Sequence, residues 1–256
     1  MRIVSLCPSL TELVFDLGRG ADLVGRTAWC VHPEDRVEAI EKVGGTKTPD
    51  VARIAGLRPD LVLMNEEENR VEDAQALRAA GLLLHVSMPR DARATAQMVR
   101  SIGAAIERVG EAEKIALDIE ARSARVIEAA RGARPVRWAY LIWRKPFMSV
   151  NQDTFVSALL DQAGGENIFA ASPERYPTVE VRELVAHSPD VIFLCTEPFP
   201  FQDKHRDELA QATGFSRERF VIADGELLSW HGSRTPRGID YAESLIRAAR
   251  EQIVKA

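Results

Sequence analysis

Three cysteines in 256 residues, Cys7, Cys30 and Cys195, are odd in number and widely spaced, which fits reduced thiols of the cytosol better than a disulfide framework. No apolar run approaches the ~20 residues needed to span a bilayer, so no transmembrane segment is expected. Charge of one sign is also missing. With 33 Lys and Arg against 38 Asp and Glu the net charge is -5, and no basic face is available for nucleic acid or an anionic membrane. The N-terminus "MRIVSLCPSL" has neither an apolar leader region nor a small-residue cleavage site. As written, the chain is expected in the cytoplasm; a leader removed ahead of it would place it in the periplasm.

Catalytic signatures are absent as well. There is no P-loop, no GxGxxG after a strand, no HExxH and no GxSxG. "KVGGTKTPD" is glycine-rich and precedes a helix, but it lacks the G-K-[ST] order. Cys30 and His32 in "TAWCVHPED" are two residues apart, a spacing that brings side chains together only in extended chain, so they do not make a nucleophile and base. No reaction is specified, and the chain is read as a non-enzyme with no catalytic residues.

What is present is an alternation of short β-branched runs with amphipathic helices. "RIVS", "DLVLM", "LLLHVS", "VRWAYLI", "DVIFLC" and "RFVIAD" read as strands of largely parallel sheets, which defines an α/β fold. Residues 91–131 lose the strand signal and become rich in Ala, Glu and Arg with helical apolar spacing. A helix from Glu111 to Arg131 would be roughly 30 Å long, enough to bridge two lobes. A faint repeat supports two lobes: "PDVARIAGLRPDLVLMNEE" (49–67) matches "VEVRELVAHSPDVIFLCTE" (179–197). Each copy reads as helix, Pro-Asp turn, buried strand and polar loop, and the loop lies at the strand end where parallel sheets bind ligands.

In order and spacing, "RIVSLCPSLTELVFDLG", "IAGLRPDLVL", "PFMSVNQDTFVSALLDQAGGENIF" and "YPTVEVRELVAHSPDVI" resemble the helical-backbone (class III) substrate-binding proteins of ABC transporters, nearest to their cobalamin-binding type. The resemblance runs from near residue 2 to the C-terminal helix. It implies two Rossmann-like lobes, 1–108 and 133–256, joined by one long interlobe helix over 109–132. It also implies a ligand in the interlobe cleft: a corrinoid, haem, a ferric siderophore or a metal ion. Relatives that dock on a permease usually carry a glutamate on each lobe near the start of the helix before each "PD" strand. Here those positions hold Ala52 and Arg182, and Arg182 would repel a permease arginine. An ABC permease partner is therefore in question.

Strand-end loops supply the candidate ligand-binding residues: Cys7, Pro8, Ser9, Trp29, Asn65 and Glu66 in the first lobe, and Trp143, Arg144, Phe147, Tyr176, Phe199, Trp230, His231 and Arg234 in the second. Three of the four tryptophans fall in these loops, where aromatic rings suit a flat corrin, haem or catecholate. Arg144 and Arg234 would hold ligand carboxylates or phosphate. For Cys30 and His32 two readings stand. They are a metal pair if Cys7, Glu66, Glu67 or His231 completes the set; otherwise Cys30 packs as a small hydrophobe and His32 caps a turn before Pro33. "MNEEENR" is read as a strand running into a helix with an acidic first turn capped by Asn65, with Glu66 and Asn69 within reach of the cleft. A cytosolic regulatory or scaffold protein that kept the fold and lost the ligand is the remaining alternative.

Overall fold

The computed structural model describes residues 1–255; Ala256, the last residue of the expected C-terminal lobe, lies outside them. By their packing the described residues group into two units, one of 1–89, 93–118 and 231–234, the other of 90–92, 119–230 and 235–255.

In the first unit the strands are β1 (Ile3–Ser5), β2 (Leu23–Arg26), β3 (Leu61–Asn65) and β4 (Leu84–Ser87), all parallel, in the order β2-β1-β3-β4. The helices are α1 (Pro8–Asp16), the short α2 (Glu34–Val37) and α3 (Val51–Gly56), α4 (Val71–Ala79) and α5 (Ala92–Ala105). β3 is buried along its whole length, which is why "LVLMN" reads as a continuous apolar run without alternation. Its core joins Val4, Leu6, Ile54, Val62, Met64 and Leu77. Pro8 suits the first turn of α1, where its missing N–H has no partner to lose, and the Asp50 carboxylate accepts the Arg53 N–H at 2.9 Å to start α3.

α6 (Val109–Ala130) carries the chain onward, with residues up to Asp118 grouped in the first unit and those from Ile119 in the second. The second unit then runs β5 (Val136–Leu141), β6 (Phe147–Met148), α7 (Phe155–Gln162), β7 (Gly165–Asn167), β8 (Thr178–Val179), α8 (Val181–His187), β9 (Val191–Cys195), α9 (Asp203–Thr213), β10 (Phe220–Ala223), α10 (Gly225–Ser229) and α11 (Thr235–Lys255). Its parallel sheet is ordered β10-β9-β5-β7, and β6 pairs antiparallel with β8. Trp138, Tyr140, Phe193 and Phe220 are its largest fully buried side chains.

Numbered from the first strand of each unit, both sheets have the order second, first, third, fourth. β3 and β9 occupy equivalent places, 130 positions apart, as the repeat requires. The helix ahead of each is closed by the same device, an acidic residue at its N-terminus: Asp50 before α3, and Glu180 before α8, where the Glu183 carboxylate also accepts the Glu180 N–H at 2.7 Å. The result is an α/β protein with two parallel four-stranded sheets and long helices over 109–130 and 235–255. Among the described residues no helix is long and apolar enough to cross a membrane.

Candidate functional site

In the first unit the loops after β1, β2 and β3 hold the candidates, as the parallel topology dictates. Cys7 caps α1 and is buried; its sulfur lies 3.3 Å from the Ser9 hydroxyl, and Pro8 is half-buried. Burial, reinforced by the nearby Glu68 carboxylate, pushes the Cys7 thiol up to about 12, so it stays protonated. Cys30 is also buried, 3.0 Å from the Thr11 hydroxyl and 3.1 Å from that of Thr27, and burial raises its thiol as well. His32 is half-buried two residues further on. Among the described residues no three His, Cys, Asp or Glu side chains are placed to hold a metal ion. Cys30 thus packs inward, its sulfur against the Thr11 and Thr27 hydroxyls.

Trp29, by contrast, is 65% exposed, an unusual position for the largest apolar side chain. Asn65 is buried, and its Oδ1 accepts the N–H groups of Glu67 at 2.9 Å and Glu68 at 3.2 Å. It therefore closes a turn at the end of β3, not the first turn of a helix. α4 begins only at Val71, and its early acids are Glu72 and Asp73. Glu66 is exposed, while burial raises the Glu68 carboxyl. Asn69 does not reach outward: its Oδ1 accepts the Asn65 N–H at 2.9 Å and its Nδ2 donates to the carbonyls of Leu6 and Thr46, both at 2.9 Å.

Residues 231–234 pack with this unit. The His231 Nε2 is 3.2 Å from Asn65 Nδ2, and the Arg234 guanidinium pairs with Glu12 on α1. Both partners of that ion pair are mostly buried, so the charge of Arg234 is met within the protein.

In the second unit the loops after β5 and β9 build an aromatic group. Trp143, 42% exposed, stands edge-on to Phe199 with ring centroids 5.8 Å apart. Phe199 meets Phe201 at 4.7 Å and His205 at 5.5 Å, both edge-on. His205 is held by α9, where its Nδ1 accepts the Gln202 N–H at 2.9 Å, and desolvation lowers its pKa, so the ring is neutral. Arg144 pairs with Glu208 of the same helix as His205. Phe147 and Tyr176 are half-buried, the latter beneath the Arg175 guanidinium, 5.9 Å from its ring centroid. Trp230 is buried, and its Nε1 donates to Glu197 at 2.8 Å; it anchors the loop after β9 and offers no exposed face. Gly225 belongs to the same anchor, because a Cβ there would lie 2.7 Å from the Glu197 backbone.

His205, Glu208 and Glu12 were not among the residues singled out from sequence. His205 and Glu208 lie on α9 amid other charged residues and Glu12 lies among the apolar residues of α1, and neither pattern announces a partner far along the chain.

The fold and its loops describe a binding protein. A family model for periplasmic binding proteins matches residues 3–224, and the chain belongs to that family. The family is non-enzymatic. The chain is 25% identical over 244 residues to the vitamin B12-binding protein of Vibrio cholerae serotype O1, covering 95% of this chain and 87% of the relative. The crystal structure of the periplasmic vitamin B12-binding protein of Vibrio cholerae superposes with a TM-score of 0.84 at 23% identity, covering 98% of both chains. The periplasmic haem-binding protein of Roseiflexus sp. RS-1 in its apo form does so with 0.83 at 25% identity, also covering 98% of both.

Proposed function

We propose that this protein binds a corrinoid of the cobalamin type, with residues 1–108 and 133–256 acting as lobes and the 109–132 segment, helical over Val109–Ala130, joining them. The observation that carries the reading is the exposed Trp143 seated on the Phe199, Phe201 and His205 group, a rigid aromatic surface that offers area without the entropy cost of a flexible side chain. Trp29 offers a second exposed ring in the other unit. With Arg144 and Arg234 already paired, the affinity comes from apolar burial more than from charge, which suits a neutral corrin periphery. The vitamin B12-binding relative supports the same ligand class, and the haem-binding neighbour makes haem the second reading.

Titration with cobalamin, cobinamide, haem and ferric siderophores, followed by absorbance and thermal shift, tests this. Saturable uptake of a corrinoid is expected, and a flat response to all of them overturns the reading. Trp143→Ala should weaken binding about tenfold or more while leaving thermal stability nearly unchanged, because the ring is half exposed.

Permease docking is weak in this reading. Ala52 and Arg182 both lie exposed in the first turn of their helices, and Arg182 is occupied by an ion pair with Glu180 at 2.7 Å. A cytoplasmic site of action is supported by three free cysteines.

A further inference from the structure

We propose that the first unit carries a small-oxyanion site built on Arg26, behind the loop that holds Cys30 and away from the Trp143 aromatic group of the second unit. Arg26 ends β2 and is only 3% exposed. Its Nε donates to the Val37 carbonyl at 2.8 Å, and its Nη1 donates to the carbonyls of Thr27 at 3.2 Å and Cys30 at 3.0 Å. These three carbonyls tie the "TAWCVHPED" loop and α2 to the sheet. They absorb N–H groups but leave the positive charge without a counter-ion, and among the described residues no carboxylate forms an ion pair with it. A buried cation in that state is costly unless an anion comes to it.

The geometry provides the place. Arg26 lines a cavity of about 270 Å³ together with Lys42, Cys30, Val31, Glu34 and Glu38. Nε and Nη1 are taken up by the three carbonyls, no hydrogen bond is donated by Nη2 among the described residues, and Arg26 is part of the lining of this cavity. Lys42 adds a second cation at the same wall. Glu34 and Glu38, both exposed, also line it, and their carboxylates disfavour a polyanion more than a single compact group. The ligand class is therefore a small carboxylate, phosphate or sulfate, held by Nη2 of Arg26 and the Lys42 ammonium through charge-assisted hydrogen bonds.

Isothermal titration of the full chain with acetate, phosphate and sulfate, each against chloride at constant ionic strength, tests the site. Saturable one-to-one uptake of at least one oxyanion is expected, with the three arms separating carboxylate from tetrahedral anions. Arg26→Met would remove the loop's tethers as well, so the informative variant is Lys42→Glu, whose side chain is exposed. It should weaken uptake roughly tenfold with an unchanged circular-dichroism spectrum, and Trp143→Ala should leave uptake as it is. Absence of saturation, or equal affinity in Lys42→Glu and the parent, overturns the proposal. Trp143→Ala, which should weaken corrinoid binding and leave oxyanion uptake unchanged, keeps a failure here distinguishable from a failure of the corrinoid reading.

Discussion

Asn69→Ala should destabilise the first unit by about 3 kcal/mol, the cost of leaving several buried backbone groups without partners. Asn69 is 5% exposed and serves three segments at once: the end of β3 through the Asn65 N–H, the end of β1 through the Leu6 carbonyl, and the 44–49 turn through the Thr46 carbonyl. Truncation to alanine strands all three, and the space is too polar to collapse on itself. For a unit of this size the loss corresponds to roughly 10 °C in Tm. Because the chain has two units, unfolding can proceed in two steps, and the shift should fall on one of them. Urea denaturation monitored by tryptophan fluorescence, to which the second unit contributes three of the four residues, and by circular dichroism would resolve it. A shift below about 1 kcal/mol would show that water replaces the amide and that Asn69 is no clamp.

The clamp also marks where sequence reading stops. β3 and β9 were legible because both faces are buried, which makes each a run of apolar residues with no alternation. The Pro-Asp turns ahead of them repeat, and so the duplicated topology could be read from 49–67 and 179–197. The helix over residues 109–130 was legible because helical spacing persists for many turns without a glycine or proline pair to stop it. β7 was not, since "GEN" is three residues long, begins with glycine and pairs only with β5. β6 and β8 are two residues each and exist only because they meet one another. Their stability is a tertiary fact with no local pattern.

The site was legible as residue types but not as contacts. Aromatic residues in loops after strands pointed to Trp29, Trp143, Phe199 and Trp230 alike. The structure separates them by partners far away in the chain: Trp230 is drawn in by Glu197, while Trp143 keeps an exposed face on Phe199. The same holds for the cations. Arg144 and Arg234 follow loops that suit a ligand, but Glu208 and Glu12 lie 64 and 222 positions away and take their charge first. Arg26 is the converse: its position on a strand gave no reason to single it out, and only the missing carboxylate in three dimensions makes it a candidate.

The stability of the second unit should fall as pH rises from about 4 to about 6, by an amount on the order of 3 kcal/mol, because of Asp161. This carboxyl, on α7, lies against the indole of the buried Trp138, whose Nε1 donates to Oδ1 at 3.2 Å, and it accepts the Ser157 hydroxyl on Oδ2 at 3.1 Å. Burial raises its pKa from 3.8 to about 6, with Glu166 pushing the same way and the hydrogen bonds opposing. The native state therefore holds a proton more tightly than the unfolded chain. Below the unfolded value both states are protonated and nothing is lost; between the two values only the unfolded chain ionises freely and gains; above about 6 the full penalty is in place. Asp161→Asn removes the titration while its amide oxygen can still accept from Trp138. The variant should be more stable than the parent by about 1–2 kcal/mol at pH 7.5, with the difference shrinking to nothing near pH 4. Subtracting the two pH profiles of urea denaturation isolates this group from the other carboxylates. Parallel profiles would mean that Asp161 ionises without cost and that Ser157 and Trp138 outweigh its burial.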